Sequence, residues 1–299
     1  MSLHFTDIFK LRWVLTVFFT VLLLSILAFV LSDSREPSYN GQPLTFWLDK
    51  LKWWGTDSQN ESAQAIRAMG TNAIPKLVKI LNSPSVRLRQ KVMFWLNKQR
   101  LFLNKFKIPP DRHWQSTIAF KILGTNAQSA VIPLSKILQK SRNPGYVATS
   151  LASIGPASLD VLIQAINHPD FNVQAASIAA LFSMRQTAFP AIPALLKKME
   201  DGHTSLREMI VDSLAQIDAE NPSALPALIK QLQSDDILIK KNAARTLKQY
   251  GPRAKAAVPQ LLISIKDTDP QFREQAILAL CKIDFDIASK EGLHPEMRE

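Results

Sequence analysis

The stretch AIRAMGTNAIPKLVKIL (65–81) ends one alanine-rich apolar run at Gly70 and opens a second one at Ile74-Pro75. Glycine often follows the last residue of a helix, because it adopts left-handed backbone angles without strain. Proline suits the first turn of the next helix, where its missing N–H has no hydrogen bond to lose. The stretch therefore predicts two helices joined by a tight turn, with Leu77 and Leu81 of the second helix pointing into a core.

The Ile-Pro signal returns at a fixed spacing along the chain. Pro193, Pro226 and Pro259 are each 33 residues apart, and each opens an apolar run of the same pattern. We call a set of positions that recur with this period a column, and the prolines are the first. A second column has the same period and consists of an apolar residue followed by a polar one: Val173-Gln174, Leu206-Arg207, Ile239-Lys240 and Phe272-Arg273. Two unrelated columns that share one period indicate a repeat array, in which each unit buries its apolar face against its neighbours.

A third column of mostly acidic residues lies four positions before the polar member of each pair in the second column. It consists of Asp170, His203, Asp236 and Asp269. Short polar side chains are favoured directly before a helix, where they accept hydrogen bonds from its first N–H groups. Because these residues recur once in every unit, we expect them to form helix caps and contacts between units rather than a catalytic pair.

The segment DDILIKKNAARTLKQYGPRAKAAVPQLLISI (235–265) resembles a HEAT repeat of the short bacterial kind. It has the Asp, the apolar-basic pair, the Ala-rich first helix, the glycine turn and the Ala-x-Pro start of the second helix. The resemblance extends over residues 57–286 and implies an all-α, armadillo-like, right-handed solenoid. It also implies that the second helices line a concave face, which in such arrays holds a protein partner.

Two parts of the chain depart from the repeat pattern. From Pro75 to its counterpart Ile132 the distance is 57 residues instead of 33, which predicts an insertion around 101–116. Residues 39–51, YNGQPLTFWLDKL, resemble the lead-in that precedes HEAT arrays in membrane-anchored bacterial proteins. We therefore expect residues 32–56 to be a linker and a Trp-rich cap, with Trp47-Leu48 packed on the first helices, and residues 287–299 to be a polar tail.

Residues 13–31, WVLTVFFTVLLLSILAFVL, contain no charge. As a helix these 19 residues are about 28 Å long, close to the hydrocarbon thickness of a bilayer. Lys10 and Arg12 precede them, so the positive-inside rule leaves residues 1–12 in the cytoplasm and the repeats outside it, in the bacterial periplasm. The alternative is a signal peptide whose cleavage releases a secreted protein, although the run is long for one and lacks an Ala-x-Ala site.

The search for chemistry in the sequence finds no catalytic residue, no cofactor-binding residue and no metal ligand set. The five histidines are scattered without metal-ligand spacing, and the single cysteine, Cys281, lies in an apolar helical run where a packed thiol is expected. No glycine-rich segment has the pattern that cradles a phosphate. We therefore predict a non-enzymatic scaffold for protein–protein interaction, with a partner that the sequence does not identify.

The second helices share one recurrent polar position. Their alignment brings together Lys79, Lys136, Gln164, Lys197, Lys230 and Ile263. Four lysines at one position predict a ladder, Lys79, Lys136, Lys197 and Lys230, that could contact an anionic or extended partner. The alternative is that lysine is a common surface residue and the ladder is only a solvated face.

Positive charge is concentrated near the predicted membrane segment. Residues 49–142 carry a net charge of +13, whereas the whole chain carries +11. The candidate contacts to anionic lipid headgroups are Arg87, Arg89, Lys91, Arg100, Lys105 and Lys107. The same residues leave open a nucleic-acid-binding protein that is similar to the HEAT-like DNA glycosylases and uses residues 84–142. The predicted topology disfavours nucleic acid. A HEAT enzyme of the bilin-lyase type is a second alternative, for which no residue set is found.

Overall fold

The computed structural model describes residues 36–51, 61–83, 112–141, 143–201, 203–218 and 222–293, without the side chain of Asp201. Apart from one two-stranded hairpin, β1 (Ser38–Tyr39) and β2 (Gln42–Pro43), the regular structure in these residues is helical. The helices are α1 (Leu44–Lys50), α2 (Glu61–Met69), α3 (Ile74–Leu81), α4 (His113–Leu123), α5 (Val131–Leu138), α6 (Pro144–Ile154), α7 (Leu159–Ala165), α8 (Phe171–Met184), α9 (Ile192–Asp201), α10 (Thr204–Ile217), α11 (Leu225–Gln231), α12 (Ile237–Tyr250), α13 (Val258–Ser264), α14 (Pro270–Ile283) and α15 (Phe285–Lys290).

From α2 to α13 the helices form pairs, and the turn inside the first pair is the one predicted from residues 65–81. α2 ends at Met69, Gly70 has a φ of 53°, a 3-10 turn follows over Gly70–Ala73, and α3 begins with Ile74-Pro75. Gly124 and Gly251 occupy the same left-handed region after α4 and α12, with φ values of 53° and 59°. A left-handed glycine therefore follows the first helix at these three turns, as predicted.

The second helices α3, α5, α7, α9 and α11 bury one shared pattern of positions: the first, fourth and eighth residues. In α3 these are Ile74, Leu77 and Leu81, and the burial of both leucines confirms the prediction. In the later pairs they are Val131, Leu134, Leu138; Leu159, Leu162, Ile166; Ile192, Leu195, Met199; and Leu225, Leu228, Leu232. These side chains join the Ala-rich first helices in one continuous core.

Neighbouring units are packed in two ways. From α4 to α14 each first helix lies against the first helix of the next unit, and each second helix also contacts the first helix that follows it. The interior is therefore shared between units rather than closed within each, which is the organisation of an α-solenoid. The all-helical repeat array predicted from the sequence is confirmed.

The acidic column forms helix caps in three of its four members. The side chain of Asp170 accepts a hydrogen bond from Asn172 N, that of Asp236 from Leu238 N, and that of Asp269 from Phe272 N. His203 has the N-cap position of α10 but makes no such side-chain hydrogen bond. The capping interpretation is confirmed at the aspartates, where the carboxylate satisfies an N–H group that the helix itself leaves unpaired.

Two turns lack the glycine that the others have. Arg185, after α8, has a φ of 51° despite its side chain. Asp218, after α10, is fully buried and accepts hydrogen bonds from Ser223 N at 2.9 Å and Ala224 N at 2.8 Å. The turn between α10 and α11 is therefore organised by a buried carboxylate rather than by a left-handed glycine.

The lead-in forms a cap on the first pair. Trp47 and Leu48 of α1 are buried, and α1 contacts both α2 and α4, which confirms the predicted packing. Arg112, the residue directly before α4, donates two hydrogen bonds to the carboxylate of Asp49, at 2.8 and 2.7 Å. These bonds connect the cap to the start of α4. The cap thus contacts the array before the predicted insertion, at α2, and at the C-terminal end of the insertion, at Arg112 and α4.

Several predicted features lie outside the described residues. These are the apolar segment 13–31, residues 101–111 of the insertion, and residues 294–299 of the polar tail. Within the described residues no helix has the length and apolar character needed to cross a membrane. At the other end, α15 crosses residue 286, where the array was predicted to give way to the tail, and Ala288 is buried against the core.

Candidate interaction surface of the second helices

All four predicted lysines lie on the surface of the array. Lys79, Lys136, Lys197 and Lys230 are exposed, and each is the sixth residue of its second helix. In an α-helix the sixth residue points about 140° away from the first residue, which these helices bury. The fixed register of the buried residues is therefore the reason that the sixth position faces solvent in α3, α5, α9 and α11.

The same position carries other residues in the two remaining second helices. Gln164 of α7 is exposed, and Ile263 of α13 is 65% exposed. The lysine column is thus interrupted by a neutral amide in the middle and ends on an apolar side chain. The lysines of this column therefore form two groups: those of α3 and α5 lie on one side of α7, and those of α9 and α11 lie on the other.

A notch separates the last two lysine-bearing helices. It has a volume of about 560 Å³ and lies between α9 and α11. Its walls combine apolar, charged and amide side chains, among them Leu196, Glu200, Ala227, Lys230, Gln231 and Ile239. The exposed lysine column therefore borders a recess that can receive a side chain or a short stretch of polypeptide.

The apolar-polar column stabilises the loops between units. Arg207 Nη2 donates to the carbonyl of Glu200 at 2.9 Å, and Arg273 Nη1 donates to the carbonyl of Asp267 at 2.8 Å. Contacts also reach the next unit, since Lys240 Nζ lies 2.9 Å from Asp267 Oδ2. These contacts confirm the structural role expected for the column.

The electrostatics of the Asp267 loop follow from these contacts. The N–H of Asp269 and the ammonium of Lys240 both donate to the Asp267 carboxylate, which lowers its pKa below the usual value. The charged form is favoured because both donors hold it in place. The hydrogen bonds of the Asp267 carboxylate therefore stabilise the loop between two units.

The half-buried thiol of Cys281 has a pKa raised by burial, which disfavours the reactive thiolate. Within the part of the chain that the structure describes, no group of three His, Cys, Asp or Glu residues could hold a metal ion. The basic candidates Arg87, Arg89, Lys91, Arg100, Lys105 and Lys107 lie outside the described residues.

Two features of the surface and its support were not found by sequence reasoning. Asp218 breaks the glycine column and forms a hydrogen bond with Tyr250, 32 residues away, and no pattern in the chain relates the two. Gln231 is buried beside the notch, although it is a polar residue that directly follows the exposed Lys230 in the helix. The sequence does contain one signal for Asp218: it has aspartate at the position where other units have glycine. A turn without glycine needs other contacts to stabilise it, and a buried aspartate side chain can provide them.

Comparison with known proteins identifies the repeats. A family model described as HEAT repeats matches residues 192–281. A crystal structure of an engineered protein from the Northeast Structural Genomics Consortium is 19% identical, with 83% of this chain and 80% of that chain covered, at a TM-score of 0.36. A second engineered protein from the same consortium is 20% identical over 81% of this chain and 96% of that chain, at a TM-score of 0.37. No curated protein sequence matches the chain.

Proposed function

Because the chain is a HEAT-repeat protein, we propose that it is a non-enzymatic scaffold, anchored in the membrane, that binds a protein partner along its second helices. The observation that carries the proposal is the exposure of lysine at the sixth position of four second helices, α3, α5, α9 and α11. A row of ammonium groups on a rigid array favours a partner with acidic side chains. The partner is therefore an extended or helical segment with negative charge.

The rigidity of the array supports a binding role. The units share one continuous core, so their exposed side chains keep a fixed spacing from one unit to the next. A pre-organised surface loses little conformational entropy when it binds, and this increases affinity. The scaffold holds its partner without changing it chemically.

The membrane anchor is residues 13–31, and the structure of the cap suits a short tether. Glu36, only five residues after Leu31, accepts a hydrogen bond from Thr45 N at 2.6 Å and lies 3.6 Å from Lys76 Nζ of α3. Five residue steps span at most about 17 Å. The first pair of helices is therefore held beside the bilayer, on the side opposite the cytoplasm.

We further propose that the basic residues Arg87, Arg89, Lys91, Arg100, Lys105 and Lys107 contact anionic headgroups. The described residues on either side of them lie close together, since His113 Nε2 is 3.3 Å from the carbonyl of Ser83. Arg112 is also joined to the cap through Asp49. Both attachment points are thus next to the tether, where each basic residue gains about 1 kcal/mol near an anionic surface.

Limited trypsin digestion of the full-length chain in vesicles tests this contact. Cleavage at Arg87 to Lys107 is expected to be slower in phosphatidylglycerol vesicles than in phosphatidylcholine vesicles, while cleavage at Lys290 is equal in both. Equal cleavage in this segment in both lipids would show that the basic residues do not contact headgroups.

Charge reversal tests the binding surface. Lys79, Lys136, Lys197 and Lys230 are changed to Glu in the full-length chain, and its cross-linked partners in the native membrane are compared with those of the wild type. The matched control reverses four lysines outside the second helices, namely Lys121, Lys248, Lys282 and Lys290. We expect the partner to be lost only with the second-helix variant. An unchanged partner set, or equal loss in the control, would refute the proposal.

A further inference from the structure

A recess lies between the first helices α6 and α8, near their N-terminal ends. It has a volume of about 500 Å³ and is separate from the lysine column, which lies on the second helices. α6 has 11 residues, whereas α8, α10, α12 and α14 have 14. Because α6 is about one turn shorter, its N-terminal end leaves Asn172 and Ala176 of α8 accessible in the recess.

The polar side chains around the recess are accessible and uncharged. Asn143, Tyr146, Thr149 and Asn172 all line it, and all four are exposed. The oxygen and nitrogen atoms of these side chains make no hydrogen bond to the described part of the chain. Asn143 has the N-cap position of α6, yet its side chain does not cap the helix. These donors and acceptors are therefore free to bind a ligand.

Tyr146 adds an aromatic ring to the edge of the recess. The residue is 36% exposed, and on the α4 side its ring centroid lies 5.8 Å from that of His113. His113 is itself buried, and its Nε2 lies 3.3 Å from the carbonyl oxygen of Ser83. The tyrosine ring thus packs against a neighbour that the fold holds in place, so little conformational entropy is lost when a ligand contacts it.

Gly145 also lines the recess, although the backbone there does not need glycine. It lies within α6 without a positive φ, and an added Cβ would have no neighbouring atom within 4 Å in the described part of the chain. It is ten residues before the turn residue Gly155, and the residues at this position of α4, α8, α10 and α12 are Trp114, Ala175, Glu208 and Lys241. Glycine weakens a helix. Its presence here therefore points to a role in keeping the recess open.

The chemistry of the lining fits a sugar. A pyranose ring has an apolar C–H face, which packs on the negative face of an aromatic ring. Its hydroxyls both donate and accept hydrogen bonds, so two neighbouring hydroxyls match the carbonyl and amino groups of one asparagine side chain. An ionic ligand would find no countercharge, because the described residues that line the recess are all uncharged.

We propose that the recess between α6 and α8 binds a neutral oligosaccharide. One sugar ring stacks on Tyr146, and its hydroxyls form hydrogen bonds with Asn143 and Asn172. Gly145 leaves the space that the sugar occupies. The site lies on the first helices and does not depend on the protein partner proposed for the second helices.

An oligosaccharide array tests the proposal. The full-length chain, in a detergent without a sugar headgroup, is applied to immobilised neutral oligosaccharides of glucose, galactose, mannose and N-acetylglucosamine. Each oligosaccharide that binds is then titrated by calorimetry. Gly145→Leu is expected to weaken binding by about tenfold or more, because the leucine side chain fills the recess. Glu274→Leu, which places leucine at the equivalent exposed position of α14, should leave binding unchanged.

Two measurements separate a binding role from a structural one. The melting temperature of Gly145→Leu is expected to equal or exceed that of the wild type, because leucine favours the helix more than glycine does. Weaker binding then does not result from unfolding. Tyr146→Ala should also weaken binding by about tenfold, whereas Tyr146→Phe should bind nearly as well as the wild type because it keeps the ring.

Three results would overturn the proposal. The first is that no neutral oligosaccharide on the array binds the wild type. The second is that Gly145→Leu and Tyr146→Ala bind as tightly as the wild type. The third is that a parallel array of uncharged peptides binds, that Gly145→Leu abolishes this binding, and that no sugar competes for it. The recess would then be a peptide site.

Discussion

The hydroxyl of Tyr250 donates to the buried carboxylate of Asp218 across 2.9 Å and so joins two successive units. Asp218 closes the turn after α10, while Tyr250 is the last residue of α12, and both are almost completely inaccessible. The carboxylate also accepts from Ser223 N and Ala224 N. A charge that is buried in this way is tolerated only because each of these donors remains in place.

Tyr250→Phe removes one donor from this carboxylate and leaves the ring in the core. We expect the free energy of unfolding to fall by about 1–3 kcal/mol, since a buried polar group loses a partner. Urea unfolding followed by circular dichroism measures the change. Tyr146→Phe is the control, because Tyr146 is 36% exposed, and it should change stability little. Equal effects of the two substitutions would contradict the role of the pair.

The same contact makes stability depend on alkaline pH. Burial and the nearby Asp218 charge raise the pKa of Tyr250 above its usual value. The folded protein therefore retains the proton when the unfolded chain, with a tyrosine pKa of about 10, begins to lose it. The contribution of protonated Tyr250 to the free energy of unfolding is therefore fully present below about pH 10 and declines as the pH rises further. Tyr250→Phe should lack this part of the decline, and an unchanged slope between pH 10 and pH 11 would show that the tyrosine does not cause it.

Arg185 and Gly124 provide a matched test of backbone strain. Both have left-handed φ values, 51° and 53°, in the turn of a helix pair. A side chain in this conformation costs about 1–2 kcal/mol. Arg185→Gly should raise the free energy of unfolding by about 0.5–1 kcal/mol, because the greater entropy of unfolded glycine offsets part of the gain.

The reciprocal change at Gly124 completes this test. Among the residues that the structure describes, no neighbouring atom lies within 4 Å of an added Cβ at Gly124. Gly124→Ala should therefore lower stability by about 1 kcal/mol through the backbone alone. Opposite signs in thermal unfolding are the expected result, and a loss of stability in Arg185→Gly would show that the arginine side chain matters more than its backbone.

The N-caps differ in strength between units. Asp236 accepts from the first N–H groups of α12, whereas His203 makes no such bond to α10. Asp236→Ala should lower the free energy of unfolding by about 1 kcal/mol, and His203→Ala by much less. Hydrogen exchange at the first turn of α12 should accelerate in Asp236→Ala alone. Similar exchange in both variants would argue against the capping contact.

The features that could be predicted from the sequence are those that recur in it. The glycines and prolines that recur at the turns, the capping aspartates and the exposed sixth residue all follow from local backbone chemistry, which repeats with the period of the units. The contact between Asp218 and Tyr250 could not be predicted, because it links residues from different columns across two units. The state of Gln231 depends on the packing of α9 against α11 and leaves no trace in the pattern. The right-handed sense of the solenoid stays a prediction.

The measurement that tests the central claim most directly is the membrane topology of the full-length chain. Alkaline phosphatase, which is active only outside the cytoplasm, is fused after Glu299, and a cytoplasm-specific reporter is fused there in parallel. A scaffold that is anchored by residues 13–31 and acts outside the cytoplasm predicts an active, membrane-bound phosphatase and an inactive cytoplasmic reporter. An inactive phosphatase with an active cytoplasmic reporter would contradict the account and would favour a nucleic-acid partner for the basic residues.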